Sequence, residues 1–136
     1  HTSMSAVEYH RDVPLDPFDV IRVFNASGIN RPTSDVPRIA RMFSAPSLVI
    51  SAWLDGRLVG VCRSLTDFAY CCYLSDLAVD KSVQGQGIGT ELIRRTQVAV
   101  GEEVSLLLLS APGAMSYYPR AGFERAENAF IIKRQR

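Results

Sequence analysis

The sequence predicts an α/β fold, with a mixed, mostly antiparallel central sheet that carries helices on both faces. Three observations lead to this fold class. Apolar residues recur at helical spacing in the first third of the chain, two apolar runs flank an Asp-Gly dipeptide, and a glycine-rich segment then separates a strand pattern from a helix pattern. The predicted element order is β-α-α-β-β-β-α-β-α-β-β.

Two helices are predicted in the first third of the chain. Asp16 can cap the first helix, Pro17 suits its first position, and Gly28 ends it. The second helix follows, and Pro46 closes it. Its apolar residues stand at i, i+3, i+4 and i+7, and they are Val36, Ile39, Ala40 and Phe43.

The middle of the chain changes to strand patterns. Leu48–Leu54 and Arg57–Arg63 are predicted strands, because they are short and rich in Val, Leu and Ile. Asp55-Gly56 joins them and is a strong signal for a hairpin turn. A further strand is predicted from about Tyr70 to Val79.

The last part of the chain alternates between helix and strand patterns. A helix follows the glycine-rich segment, and Val104–Leu109 is then nearly continuous apolar sequence. Such a run predicts a buried strand in a sheet that is covered on both faces. A short helix around Ala114–Pro119 and a strand pair near Phe123–Lys133 complete the order.

Length and composition favour one ordinary globular domain. The chain has 136 residues and a formal net charge of +1, which gives no strong field for nucleic acid or an anionic membrane. We expect a single domain over residues 4–136, with residues 1–3 as an expression remnant. No apolar run approaches the ~20 residues of a membrane span. Two histidines and three cysteines show no metal-ligand spacing. Because three cysteines also make a poor disulfide framework, the reducing cytoplasm is the simplest expected location.

The most informative segment is Val83–Thr90, which lies between a predicted strand and a predicted helix. Its glycines allow tight turns and a close approach of the main chain to a ligand. The first N–H groups of the following helix suit a phosphate or pyrophosphate. A Walker loop would need a lysine after the glycines, and a dinucleotide fingerprint would need a third glycine where Thr90 stands. A tight strand-to-helix connection without any ligand is the alternative.

Two motifs carry a resemblance to a known family. Gln84-Gly85-Gln86-Gly87-Ile88-Gly89 resembles the Q/R-x-x-G-x-G/A signature of the GNAT family of N-acetyltransferases, and it follows a predicted strand as in that family. About 30 residues later, Tyr117-Tyr118-Pro119-Arg120-Ala121-Gly122-Phe123 resembles the second signature, Y-x-x-x-G-F. The resemblance spans roughly residues 48 to 133, and the N-terminal third fits the opening helices of the family by pattern only.

The resemblance implies that acetyl-CoA is the cosubstrate. Main-chain amides of about Gln86 to Thr90 would hold the CoA pyrophosphate, and Leu77 and Val79 would offer main-chain groups to the pantetheine arm. Many family members carry an asparagine where this chain has Ala111, so Ser110 is a candidate to replace that contact. The predicted cofactor-binding residues are Leu77, Ala78, Val79, Gln84, Gly85, Gln86, Gly87, Ile88, Gly89, Thr90 and Ser110.

Two side chains are candidates for the chemistry. In the resemblance, Tyr118 would lie near the thioester sulfur and protonate the departing thiolate. Asp76 stands in the middle of an apolar strand beside the expected thioester site, where burial could raise its pKa enough for it to act as a base. The alternative for Asp76 is a structural carboxylate that bonds a neighbouring loop or Arg63. A chain of water molecules could also take the proton.

The expected function is therefore transfer of an acetyl group to a primary amine of a small molecule or peptide, by direct attack on the thioester. A non-catalytic acyl-CoA-binding regulatory module of the same fold is the alternative, and a longer acyl group is also open. Dimers are common among proteins that resemble this one, so a homodimer is left open too. The segment Asn30–Thr33 could cover the acceptor as a lid. The acceptor pocket could be lined by Arg63, Asp67, Phe68, Tyr70 and Tyr73, although packing explains these residues equally well.

Overall fold

The structure is a computed structural model that describes residues 6–44 and 48–136. The expected remnant at residues 1–3 and the predicted helix end at Pro46 lie outside the described residues. The described chain forms a five-stranded sheet with four α-helices. The strands follow one another in the sheet in their sequence order, and they are β1 (Glu8–Arg11), β2 (Leu48–Leu54), β3 (Arg57–Thr66), β4 (Cys71–Val79) and β5 (Ser105–Leu108).

The first two helices cover one face of the sheet. Helix α1 (Pro17–Ser27) begins as predicted, because the Asp16 carboxylate accepts a hydrogen bond from the Phe18 N–H at 2.9 Å. It ends at Gly28, whose φ of 81° is the left-handed conformation of a helix C-terminus. Helix α2 (Val36–Ser44) follows. Side chains from both helices, β2, β3 and β4 form the core on this face, which includes Val20, Val23, Phe24, Ile39, Val49, Leu58, Val61 and Ala78.

Helix α3 (Ile88–Val100) covers the opposite face of the sheet. Its buried side chains Ile88, Leu92 and Ile93 pack against β2, β3 and β4. Strands β1 to β4 are antiparallel neighbours, whereas β5 runs parallel to β4. The predicted mixed, mostly antiparallel sheet with helices on both faces is therefore confirmed.

A bulge in β4 decides which way its side chains point. The register with β3 passes from Arg63 opposite Asp76 to Ser64 opposite Leu74, so Ser75 is an extra residue. Cys72 and Leu74, before the bulge, pack in the core beneath α3, whereas Ala78, after it, packs beneath α1 and α2. Because side chains alternate along a strand, the extra residue turns Asp76 away from the α3 face.

The sequence prediction for the C-terminal region is wrong in two respects. Strand β5 is not buried, since Leu107 is 46% exposed and Leu109, just after the strand, is 53% exposed. The strand pair near Phe123–Lys133 is not formed, and Phe130 is 98% exposed. The physical reason is that a strand pattern becomes a strand only where a partner pairs its N–H and C=O groups. After the short helix α4 (Tyr117–Arg120), the chain instead runs to α2, where Arg38 Nη2 donates to the Arg136 carbonyl at 3.3 Å.

Candidate active site

The glycine-rich segment is held in place by Asp80 at the end of β4. Its carboxylate accepts hydrogen bonds from the Ser82 N–H and hydroxyl, both at 2.9 Å, and these donors hold the pKa of Asp80 below its usual value. A 3₁₀ turn over Lys81–Val83 follows. Gly85 and Gly87 then take φ values of 82° and 81°, which other residues adopt only at a cost. The chain can therefore reverse direction and enter α3 within a few residues.

The start of α3 presents main-chain donors to an open space. Gly87 is the N-cap and supplies no side-chain acceptor, so the first N–H groups of the helix are left for a ligand or solvent. A cavity of about 560 Å³, here called the glycine cavity, lies in front of them. Its lining contains no charged side chain and consists of Leu77, Val79, Gln84, Gly85, Gly87, Ile88, Gly89, Thr90, Gly113, Ala114, Tyr117 and Tyr118.

The second half of β4 forms one wall of this cavity. Pairing between β4 and β5 ends at Leu74 opposite Leu108, so β4 has no partner on this edge from Ser75 onward. Main-chain groups on the open edge bind side chains instead. Gln84 Nε2 donates to the Val79 carbonyl at 3.0 Å, and Arg31 Nη2 donates to the Ser75 carbonyl at 2.8 Å. Leu77, between these two residues, directs its main-chain groups to the same open edge.

The two tyrosines of α4 stand at the opposite wall. The Tyr117 hydroxyl hydrogen-bonds the Thr90 hydroxyl at 3.2 Å and so ties α4 to the start of α3. The Tyr118 ring packs edge-on against Tyr117 and Phe123, with ring centroids 5.1 and 5.6 Å apart. Burial raises the pKa of Tyr118, Tyr117 and Cys62 raise it further, and Arg31 opposes them. Tyr118 therefore keeps its proton at neutral pH and can donate it.

Asp76 is fully buried on the other side of β4, and both of its carboxylate oxygens are engaged. Arg31 Nε donates to Oδ1, and Arg63 Nε donates to Oδ2. Arg63 Nη2 also donates to the Ser75 hydroxyl at 3.1 Å. This is the geometry of the structural alternative that the sequence left open, with Arg63 as the partner. The role of Asp76 as a base stays a prediction.

Three predicted cofactor residues lie away from the glycine cavity. Ala78 is buried in the core beneath α1 and α2, and it faces Val61 of β3 in the sheet. Gln86 is exposed and does not line the cavity. The Ser110 hydroxyl donates to the neighbouring Ala111 carbonyl at 2.8 Å, and this residue lines a separate groove beside β5. The other predicted cofactor residues lie together around the cavity.

A second cavity, here called the arginine cavity, lies where β4 bulges and has a volume of about 840 Å³. Sequence reasoning assigned Arg31 only to a lid segment and missed its contact with Asp76. The available signal was a cation in the α1–α2 loop and a carboxylate inside an apolar strand. The lining consists of Asn30, Arg31, Pro32, Arg38, Met42, Arg63, Tyr73, Ser75, Leu109, Ile131, Ile132, Lys133, Arg134 and Arg136. Of the five side chains expected around the acceptor, this lining contains Arg63 and Tyr73.

Two further properties concern the described part of the chain. Within residues 6–44 and 48–136, no helix has both the length and the apolar character that crossing a bilayer requires. In the same residues, no group of three or more His, Cys, Asp and Glu side chains is arranged to hold a metal ion.

Comparison with known proteins identifies the family. Residues 45–125, more than half of the 136-residue chain, match the family model of the acetyltransferase (GNAT) domain. A comparison with curated proteins found no match. Several solved structures share the fold at low sequence identity. One is a protein from Deinococcus radiodurans R1 assigned to the acetyltransferases, with 23% identity, a TM-score of 0.79 and coverage of 98% of this chain and 92% of that one.

Two other structures extend the comparison. A GNAT-family acetyltransferase from Streptococcus pneumoniae TIGR4 is 20% identical, with a TM-score of 0.73 and coverage of 96% of this chain and 100% of that one. The aminoglycoside N-acetyltransferase AAC(6')-Iy, in complex with CoA, is 14% identical, with a TM-score of 0.71 and coverage of 98% and 97%. At these identities the likeness concerns the fold, and the match to the family model carries the assignment. The chain belongs to the GNAT acetyltransferase family.

Proposed function

We propose that this protein transfers an acetyl group from acetyl-CoA to a primary amine of a small molecule or peptide. The observation that carries the proposal is the glycine cavity, which extends from the start of α3 along the open edge of β4 to Tyr118. Membership of the family and the CoA complex of a protein with the same fold support it.

The main chain supplies the contacts to the cosubstrate. The N–H groups at the start of α3 and the positive end of its dipole favour the pyrophosphate of CoA. A side chain at Gly87 would project into open space, because an added Cβ meets no protein atom within 4 Å. The unpaired edge of β4 offers the main-chain groups of Leu77 and the Val79 N–H to an amide-containing arm, while the Val79 carbonyl accepts from Gln84. This set of contacts fits a long, anionic thioester.

The proposed reaction needs no covalent enzyme intermediate. The neutral amine nitrogen attacks the thioester carbonyl carbon, and the carbonyl oxygen takes the negative charge, which a main-chain N–H of the open β4 edge can stabilise. The intermediate then expels the thiolate as the carbon–sulfur bond breaks. Tyr118 gives its proton to the sulfur, and solvent restores that proton. The attacking nitrogen loses one proton and leaves as an amide.

Asp76 and a chain of water molecules are the two candidates for the group that takes the proton from the amine. The two arginines that hold Asp76 support a positioning role, in which the carboxylate orders Arg31 and Arg63 at the edge of the arginine cavity. A water chain then carries the proton to solvent.

One observation favours the alternative of a non-catalytic acyl-CoA-binding module. The lining of the glycine cavity contains neither a carboxylate nor a histidine. Release of free thiol in the presence of an amine distinguishes the enzyme from the module, because a binding module would retain acetyl-CoA without turnover.

The homodimer is also a proposal. The free edge of β5 and three exposed apolar residues at the C-terminal segment support it, namely Phe130, Ile131 and Ile132. Light scattering at several protein concentrations tests it. A mass that stays at one 15.0 kDa chain would contradict the dimer.

The first experiment on the enzyme is calorimetric titration with acetyl-CoA, with free CoA and ATP as comparisons. We expect tight binding of acetyl-CoA and CoA and weak binding of ATP. A screen of amines by thiol release follows. If acetyl-CoA does not bind, the glycine turn is structural and the proposal is wrong.

A further inference from the structure

The arginine cavity carries a high density of positive charge. Six cationic side chains line it, whereas no aspartate or glutamate does. The cations come from four parts of the fold, which are the α1–α2 loop, α2, β3 and the C-terminal segment. They are Arg31, Arg38, Arg63, Lys133, Arg134 and Arg136.

Two carboxylates lie nearby, and neither neutralises the cavity. Asp76 lies buried behind the cavity and binds both Arg31 and Arg63. The two arginines and the one carboxylate together carry one net positive charge. Asp35 accepts a hydrogen bond from the Arg38 main-chain N–H at 3.1 Å and caps α2 rather than lining the cavity. Arg38 Nη2 donates to the Arg136 carbonyl at 3.3 Å, and the Arg38 guanidinium has further N–H donors for a ligand.

Arg31 and Arg63 are fixed in position before any ligand arrives. Arg31 donates to Asp76, to the Asn30 carbonyl and to the Ser75 carbonyl. Arg63 donates to Asp76, to the Ser75 hydroxyl and to the Met42 carbonyl. Each guanidinium group has five N–H donors, so each retains donors beyond these three. Preordered guanidinium groups bind a carboxylate in a bidentate manner at low entropic cost.

The arginine cavity adjoins the proposed site of acetyl transfer. Ser75 lines the arginine cavity and Leu77 lines the glycine cavity, and Asp76 lies between them on β4. Arg31 is also close enough to Tyr118 to influence its pKa. A small molecule whose amine lies beside the thioester can therefore extend its other end into the arginine cavity.

We propose that the acceptor is an amine that carries a carboxylate, namely a free amino acid, and that Arg38 is a main contact of the carboxylate. This inference rests on the proposed function, since it concerns the acceptor of that reaction. The cavity volume of about 840 Å³ lies within the range of small-molecule sites. The same six cations repel polycationic amines, so spermidine and kanamycin are poor acceptors.

The test compares acceptors of different charge, at a pH where the amines of the free acids and of the amides are both largely neutral. The common amino acids are assayed by thiol release as free acids and as amides, with spermidine and kanamycin as polycations. For the best amino acid, we expect kcat/KM to exceed that of its amide about 10-fold or more, as a charge-assisted hydrogen bond allows. Preference for the amide or for either polycation, with normal acetyl-CoA binding, overturns the inference and leaves the proposed function intact.

Two variants on α2 localise the effect. Arg38→Gln removes a cation from the cavity, whereas Arg41→Gln removes an exposed cation one turn away that does not line it. We expect Arg38→Gln to lower kcat/KM for the free acid about 10-fold and for the amide less than about 2-fold. Arg41→Gln should change neither value. Equal effects of the two variants would contradict the contact with Arg38.

Direct binding separates this inference from the proposed function. The free acids and amides are titrated calorimetrically into the wild-type protein and into Arg38→Gln. Tighter binding of an acid than of its amide, weakened by Arg38→Gln, supports the carboxylate site even if no thiol is released and the proposed function fails. If no acid binds more tightly than its amide, the inference is wrong.

Discussion

The glycine cavity and the arginine cavity lie on two sides of the same strand but are built from different parts of the chain. The glycine cavity has no charged side chain in its lining, and its donors are main-chain groups of β4 and α3 together with neutral side chains such as Tyr118. The arginine cavity has six cations, all of them side chains. Main-chain donors serve a ligand whose shape is common to a whole family, because they do not change when side chains do. Side-chain charges can differ from one protein to the next, which suits the acceptor proposed for the arginine cavity.

The largest expected effect is the loss of cosubstrate binding in Gly87→Val. The φ of 81° at Gly87 strains any branched residue, and the valine side chain would occupy the cavity in front of α3. We expect acetyl-CoA binding to be lost from the calorimetric titration, a fall in affinity of more than about 10⁴-fold, which corresponds to ~5.5 kcal/mol.

A matched control separates ligand contact from backbone strain. Gly101→Val also places valine at a positive φ, 88°, with no protein atom within 4 Å of the new Cβ, but it lies at the other end of α3. This variant should lose stability and still bind acetyl-CoA. Normal affinity in Gly87→Val would contradict the proposed main-chain cradle.

The next effect concerns Tyr118, which lines the glycine cavity. Tyr118→Phe removes the proton donor and keeps the ring that packs on Phe123. We expect kcat to fall by ~10²–10⁴, the usual contribution of a general acid, with little change in the Kd of CoA. Tyr117→Phe serves as the comparison, because it loses only the hydrogen bond to Thr90. Unchanged turnover in Tyr118→Phe would remove this residue from the mechanism.

A third prediction tests the wall between the cavities. Asp76→Asn leaves Arg31 and Arg63 without their shared carboxylate in a buried position, so we expect the free energy of unfolding to fall by about 3 kcal/mol. Urea denaturation measures this loss.

The pH profile of the same Asp76→Asn variant distinguishes its two roles. If Asp76 orders the arginines, the variant keeps the pH dependence of kcat/KM and loses preference for free amino acids. If Asp76 is the base, the variant instead changes the low-pH side of the profile, where kcat/KM rises with pH. A variant that is as stable as the wild type would contradict the structural role of the ion pairs.

The smallest effect concerns the high-pH limb of the rate profile. Burial raises the pKa of Tyr118 above its ordinary value of about 10, so its protonated form persists through pH 10 and is lost only above it. The raised pKa of Tyr118 also contributes to the free energy of unfolding. This contribution is fully present below pH ~10 and is lost as the pH rises through the raised pKa. Activity should therefore rise as the amine loses its proton and show no decline before about pH 10. A decline that begins near neutrality would contradict Tyr118 as the acid.

Much of the fold could be predicted because its signals are local. Asp16 and Gly28 bound α1 as expected, and Asp55-Gly56 joins β2 to β3. The glycine turn is also local, since positive φ values at Gly85 and Gly87 depend on neighbouring residues only. These predictions succeed because each depends on contacts within a few residues.

The errors concern features that depend on distant partners. The apolar run before Leu109 predicts a buried strand, yet the exposure of β5 depends on whether another segment covers it. The closing strands fail for the same reason. The sequence shows a cation in the α1–α2 loop and a carboxylate in an apolar strand, but only the tertiary structure shows that Arg31 reaches Asp76, 45 residues away.

The sequence by itself determined the family, the glycine turn and the positions of Tyr117 and Tyr118, because these follow from short motifs whose geometry is set by adjacent residues. Only the tertiary structure decided which way Asp76 points and what binds it. The extra residue Ser75 reverses the alternation of β4, and this reversal brings Asp76 to Arg31 and Arg63. A bulge is a property of two paired strands, so one strand's sequence does not reveal it.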